Sequence, residues 1–152
     1  MQLTSPAFKH SSSIPALFTC DGENINPPLN IKDVPSQAKS LVLIFEDPDV
    51  PSYVRKDGLY IHWVVFNMDV MTKTIEEGIP PKALFGINTS EKTSYVGPCP
   101  PDKEHRYFFK LYALKESLSL KTGATKDEVM EAMSDLVIEE TELMGLYDRA
   151  RS

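Results

Sequence analysis

Leu41-Val42-Leu43-Ile44-Phe45 is an unbroken apolar run of strand length, stopped abruptly by Glu46-Asp47-Pro48. A short run with no polar interruption fits a strand covered on both faces at the centre of a sheet. Ile61 to Asn67 reads as a second core strand, its alternation blurred by Val64-Val65-Phe66. Tyr107 to Leu114 reads as a third. There Tyr107, Phe109, Leu111 and Ala113 make a mostly apolar face, and Phe108, Lys110, Tyr112 and Leu114 a mixed one. The connection from Ser52 to Tyr60 is polar and carries the turn signal Asp57-Gly58. Residues 70 to 94, broken by Pro80-Pro81, are expected to form a long irregular loop. The first forty residues are rich in Pro, Ser and Asn, and Asn24-Ile25-Asn26-Pro27-Pro28 is a turn cluster.

After Leu114 the period changes. Thr125-Lys126-Asp127-Glu128 has the form of a capping box. From there Val129, Met133, Leu136, Val137, Leu143 and Met144 fall on one helical face, and Gly145 is placed to end the helix. The expected architecture is a mainly β single domain over residues 1–152 with a long C-terminal helix packed on it.

Composition narrows the function. With 41% hydrophobic and 25% charged residues the chain has the balance of a globular domain, and it contains no apolar run long enough to span a bilayer. A net charge of −6 argues against general nucleic-acid or membrane-surface binding, which needs positive potential. Met1 to Lys9 has neither an apolar signal core nor a small-residue cleavage site, so a cytoplasmic location is expected. Cys20 and Cys99 lack zinc-ligand spacing and are expected to be free thiols in a reducing compartment.

Scarce residue types crowd into two proline-framed segments. Asp47-Pro48-Asp49-Val50-Pro51 leads to His62-Trp63, and Gly97-Pro98-Cys99-Pro100-Pro101 leads to His105-Arg106-Tyr107. Asp47, His62 and His105 stand at the ends of predicted core strands, where a rigid scaffold meets solvent. A carboxylate beside a histidine favours the charged ring. Two such rings and N–H groups of the 97–99 turn would suit a phosphate, sulfate or carboxylate. Histidines titrating near 6.5 would then tighten anion binding as pH falls from about 8 to 6. Each residue also has a plainer role as a turn or core-capping residue. Arg106 is read as a structural ion-pair residue on the opposite face of its strand. Two histidines with a carboxylate also resemble a zinc shell, but helical His-x-x-x-His spacing is absent. A carboxylate pair for glycoside hydrolysis, from Glu46 with Asp47 or Asp49, lies on one loop rather than across a substrate. Cys99 with His105 could act as a nucleophile, although its flanking prolines suit a turn residue better.

The two segments resemble the signatures of the phosphatidylethanolamine-binding protein family, in its bacterial and archaeal Raf-kinase-inhibitor-like branch. Phe18-Thr19-Cys20-Asp21-Gly22-Glu23-Asn24-Ile25-Asn26-Pro27-Pro28-Leu29 resembles the N-terminal turn of that family, and Glu142 to Arg149 its C-terminal ending. The resemblance implies antiparallel β-sheets packed as a sandwich with peripheral helices, and cis peptides such as Asp47-Pro48 and Val50-Pro51. It implies a ligand pocket at Asp47, His62, His105 and Tyr107, with backbone help around Cys99 and Pro100. Asp49, Pro51, Tyr60 and Tyr147 complete the candidate set, Tyr147 leaning over the mouth. The implied role is non-enzymatic binding of an anionic or phosphorylated ligand, with no cofactor and no metal. A protein kinase or protease is the implied macromolecular partner, a homodimer is compatible, and neither nucleic acid nor integral membrane association is expected.

Overall fold

Every residue of the strand Ser40–Asp47 is buried, because each face has its own cover. In this computed structural model, which describes residues 1–149, the strands in chain order are β1 (Gln2–Thr4), β2 (Ser12–Ser13), β3 (Leu29–Lys32), β4 (Ser40–Asp47), β5 (Tyr60–Met68), β6 (Thr74–Ile75), β7 (Leu84–Phe85), β8 (His105–Leu114) and β9 (Val137–Tyr147). A helix, α1 (Lys126–Met133), lies between β8 and β9, and a 3-10 turn covers Ala16–Phe18. Residues 150–152 of the expected domain lie outside the described residues.

One sheet has the order β2-β9-β8-β4-β5-β7, so β4 is central, and a smaller one has the order β1-β3-β6. Leu41, Leu43 and Phe45 join Leu3, Leu29, Ile31 and Ile75 of the smaller sheet in one apolar cluster. Val42 and Ile44 turn the other way, onto Leu118 and onto Val129 and Met133 of α1. β5 divides its residues likewise, Trp63 and Val65 to the first cluster, Val64 and Phe66 to the second. Period-two geometry with both faces covered therefore explains why these strands read as continuous apolar runs. Each fully buried aliphatic or aromatic side chain contributes about 1.5–3 kcal/mol. Phe45 and Phe109 stack across β4 and β8 at a centroid distance of 3.8 Å.

The C-terminal region differs from expectation. The capping box is present: the Thr125 hydroxyl accepts from the Glu128 N–H, and the Glu128 carboxylate accepts from the Thr125 N–H. The helix it starts is only 8 residues long, and Val137–Tyr147 is a strand of 11 residues instead of the rest of a long helix. β9 pairs antiparallel with β8, His105 opposite Tyr147 and Tyr107 opposite Gly145. The reason is tertiary. The outer edge of β8 gains a full hydrogen-bonded ladder, and with the strand preference of Val137, Ile138 and Thr141 this outweighs the helical propensity of the glutamates, leucines and methionine in the stretch. Gly145 is not a helix terminator. A Cβ there would stand 2.4 Å from Ile14 Cγ1, so glycine permits close packing of the N-terminal segment.

Three further expectations are corrected. The larger sheet is mixed, because β2 runs parallel to β9. Cys20 and Cys99 are joined by a disulfide, with Cα atoms 5.4 Å apart. The two turns that carry them are drawn together by Cys20 N–H to Pro98 O and by Gly97 N–H to the Asn24 side chain. No cis peptide occurs among the described residues. The chain turns after β4 through a local bond, Asp49 N–H to Asp47 Oδ1 at 2.7 Å, with Asp47-Pro48 trans. The 70–94 stretch is irregular except for the two-residue strands β6 and β7. Among the described residues, no helix is long and apolar enough to cross a membrane.

Candidate functional site

The ends of β4, β5 and β8 meet at one edge of the larger sheet. Asp47 pairs in register with Tyr60, and Glu46 with Phe108, which brings Asp47, His62 and Tyr107 together. They line a cavity of about 210 Å³ with Tyr60, Val96, Gly97 and Cys99. Val50, Val54 and Pro101 complete its wall. Five candidates from the sequence therefore share one cavity: Asp47, Tyr60, His62, Cys99 and Tyr107. A larger hollow of about 290 Å³ lies beside Trp63, but its polar side chains Asn24 and Asn26 are already bonded to backbone groups. It presents no titratable group suited to chemistry.

The other five candidates stand elsewhere. Asp49 faces Arg106, accepting from its backbone N–H, its Nε and its Nη2 at 2.8–2.9 Å. Arg106 thus has the structural role its strand position suggested. Pro51 lies in the loop, its carbonyl accepting from Val54 and Arg55 N–H, while Val50 and Val54 reach the cavity. Pro101, not Pro100, lines the wall. Tyr147 does not lean over the mouth. It is buried in β9, and its hydroxyl donates to Asp21 Oδ2 at 2.5 Å. His105 is fully buried and stands behind the cavity, joined to it through Asp47.

The ring environments fix the protonation states. His105 Nδ1 faces Asp47 Oδ2 at 2.6 Å, and Nε2 faces Asp102 Oδ1 at 2.6 Å. A carboxylate only accepts, so both ring nitrogens donate and the ring is an imidazolium. Burial opposes that charge, but hydrogen bonds to Asp47 and Asp102 outweigh it and hold the ring above its usual range. For Asp47, burial raises the carboxyl against the His105 and Asp49 hydrogen bonds that favour its charge. Arg106 and His105 hold Asp49 and Asp102, respectively, below the usual carboxylate range.

His62 is different. Its Nδ1 lies 2.8 Å from the Val96 carbonyl oxygen, so Nδ1 carries the hydrogen. Burial pushes the ring down to about 4, so near neutrality it is uncharged and Nε2 is a bare acceptor. Nε2 has no hydrogen-bond partner, and neither has the buried Tyr107 hydroxyl. Burial and the nearby Asp47 carboxylate keep the Tyr107 phenol protonated well above its usual range, and its hydroxyl makes no hydrogen bond of normal geometry. The expected pair of cationic imidazoles does not form: one ring is neutral, and the other is spent between two carboxylates.

The wall opposite the strands is firmly held. Val96 N–H bonds to His62 O, the Asn88 side chain bridges His62 O and Ser94 O, and the Tyr95 hydroxyl bonds to Phe18 O. Gly97 N–H is committed to Asn24, and three residues of the 97–101 turn are prolines, so Cys99 has the remaining N–H. The Cys99 sulfur is in the disulfide, which removes the nucleophile reading. Glu46 points away from Asp47 and pairs with Lys110 and Lys126, which removes the carboxylate pair. Among the described residues, no group of three His, Cys, Asp or Glu is arranged to hold a metal ion. Residue-by-residue reading missed Asp102, Asn88 and the Val96 carbonyl. Asp102, three residues before His105 in a polar turn, had a usable signal; the other two act through contacts distant in sequence.

The chain is similar to known proteins over nearly its whole length. The family model for phosphatidylethanolamine-binding protein matches residues 4–148. A UPF0098 protein of Chlamydia pneumoniae is 51% identical over 150 residues, covering 99% of this chain and all of that one. The crystal structure of CT736 from Chlamydia trachomatis, described as a homologue of phosphatidylethanolamine-binding protein, superposes with a TM-score of 0.95 at 49% identity, over 97% of each chain. YbcL of Escherichia coli, described as a new member of the mammalian family, superposes with a TM-score of 0.85 at 26% identity, over 96% of each chain.

Proposed function

From the premise that this chain belongs to the phosphatidylethanolamine-binding protein family, we propose that it is a non-enzymatic binder of small phosphorylated ligands, with a regulatory role. The observation that carries this reading is the pair of orphaned polar atoms, His62 Nε2 and the Tyr107 hydroxyl, at a cavity of about 210 Å³. Buried polar groups without partners are rare in folded proteins and mark places where something else supplies the bond. That volume suits a head group such as phosphate or O-phosphoethanolamine, or a phosphorylated side chain, more than a large metabolite. Turnover is not part of the proposal. The aromatic and aliphatic lining with few polar groups suits holding and orienting a ligand.

Titration calorimetry with O-phosphoethanolamine tests this. Wild type should bind, and Tyr107→Phe, which removes one orphaned donor, should weaken binding by roughly tenfold. Equal affinity in the variant would remove the cavity from the binding site.

A second reading, a regulator of a kinase or protease acting through the same cavity, is favoured by the adjacent loop. Tyr53 is 77% exposed, and Val54, which lines the cavity, is 49% exposed. An apolar tip beside a polar pocket is a surface that a protein partner can cover. In that case His105→Ala, which releases Asp47, should abolish partner capture. A cytoplasmic location is part of the proposal; the Cys20–Cys99 disulfide weighs against it, and the oxidation state of the pair in cells is the test. A persistent disulfide would point to an oxidising compartment.

A further inference from the structure

We infer that the cavity selects the monoprotonated form of a phosphate monoester, with His62 Nε2 accepting the hydrogen of the ligand P–OH group, and that it rejects a sulfate ester of the same shape. The inference rests on the phospho-ligand reading above and goes beyond it, from a class of ligand to a protonation state and a residue that sets specificity.

The argument begins with the tautomer. A carbonyl oxygen has no hydrogen to give, so the 2.8 Å contact between Val96 O and Nδ1 fixes hydrogen on Nδ1. The Val96 carbonyl cannot turn away easily, because Val96 N–H is bonded in return to His62 O and the Asn88 side chain clamps His62 O and Ser94 O. Nε2 is therefore an acceptor, buried and unpartnered, on a residue that lines the cavity. The only carboxylate on the cavity wall among the described residues, that of Asp47, is a second acceptor. The Tyr107 hydroxyl and the Cys99 N–H are the groups that can donate to a phosphoryl oxygen. A ligand that brought only acceptors would leave Nε2 desolvated and unpaired and would face the Asp47 charge directly.

The charges around His62 point the same way. The Asp47 carboxylate (β4), Tyr60 (β5) and Tyr107 (β8) line the cavity with it, the Asp47 charge is shared with the His105 cation, and Asp102 lies on the far side of that ring. The nearby Asp49 is neutralised by Arg106. The Tyr60 hydroxyl is already bonded to Ser90 at 2.5 Å. Nothing in this set supplies a free cation for a fully ionised phosphate. Burial keeps His62 neutral at pH values well above about 4, so the ring does not become a donor in the physiological range.

A phosphate monoester loses its second proton near pH 6, whereas a sulfate ester has no proton to offer at any physiological pH. Sites built around a hydrogen bond reject analogues that lack it far more strongly than apolar pockets reject a change of size. Calorimetry at pH 5.5 and 7 with O-phosphoethanolamine, O-sulfoethanolamine and ethanolamine separates the outcomes. The expected result is phosphoester binding about tenfold tighter at pH 5.5 than at pH 7, following the monoanion fraction. O-Sulfoethanolamine should bind at least tenfold more weakly than the phosphoester at pH 5.5. Nitrogen NMR should show His62 Nε2 unprotonated over the whole range, free and bound. His62→Gln, whose amide can turn to donate, should narrow the phosphate-to-sulfate preference. If that variant does not fold, the wild-type comparison stands alone. Equal binding of sulfate and phosphate esters, or an imidazolium signal from His62, would overturn the inference while leaving the phospho-ligand reading intact. Absence of phosphoester binding at both pH values, or ethanolamine binding as tightly as the phosphoester, would overturn both.

Discussion

His105→Ala leaves the Asp47 carboxylate buried without its 2.6 Å partner. Breaking one half of a buried charged pair costs about 3–5 kcal/mol, so urea unfolding at pH 6 should show a loss of that order. The pH dependence has a definite sign. The folded state raises the affinity of the ring for its proton, so its contribution is complete below the unfolded value near 6.5 and is lost as pH rises through the raised folded value. The stability gap between wild type and His105→Ala should therefore shrink between pH 6 and pH 9. A gap that widened over that range would contradict the imidazolium assignment. Asp47, His62 and His105 were legible as residues at the ends of apolar strands, and Tyr107 through the family resemblance. Their electrical states were not. The neutrality of His62 depends on the Val96 carbonyl, and the charge of His105 depends on Asp102. The first of these partners arrives by folding; the second lies three residues before His105, but its spacing does not say that it meets the ring.

Two elements make opposite predictions about binding. In the 97–101 turn, a Cβ on Gly97 would stand 2.1 Å from the Phe18 carbonyl oxygen and 2.5 Å from the Asn24 side chain. Backbone cannot give way there as a flexible side chain can. Gly97→Ala should cost roughly 1–3 kcal/mol by overpacking and should also weaken phosphoester binding, because the same turn lines the cavity. Thr125→Ala removes the helix cap and should cost about 1 kcal/mol while leaving ligand affinity unchanged. Its helix packs on the other face of the large sheet, with Val42 and Ile44. Thermal melts paired with calorimetry on both variants check this contrast. Among the elements, β4 and β5 were readable because covered faces produce continuous apolar runs, and β8 because its residues alternate between an apolar and a mixed face. β9 was misread because only its last residues alternate: Leu143, Gly145 and Tyr147 are buried, while Val137 and Ile138 are 37% exposed. A strand whose first half hangs off the core carries no burial signal there, and the accidental spacing of Leu136, Val137, Leu143 and Met144 imitated a helix.

At the scale of the molecule, the Cys20–Cys99 bond ties the N-terminal turn to the cavity wall across 79 positions of sequence. Closing a loop of that length in the unfolded chain is worth about 4–5 kcal/mol in the chain-entropy account. Reduction with dithiothreitol should accordingly lower the melting temperature, and the Cys20→Ser, Cys99→Ser double variant should match the reduced protein and no longer respond to reductant. An unchanged melting temperature on reduction of wild type would show that packing alone holds the two turns together. The large sheet has another property at this scale. It is bounded on both sides by strands of only two residues, Ser12–Ser13 and Leu84–Phe85. Each covers only two positions of the long strand beside it, and the outer flank of β9 is exposed along its glutamate-rich half. A visiting peptide that docks by adding a strand needs a long, uncharged rim to zip onto, and this sheet ends in stubs and acid residues. A protein partner would therefore have to be recognised by its side chains at the mouth of the cavity, and scrambling the order of residues around a phosphorylated anchor should matter more to it than extending its backbone.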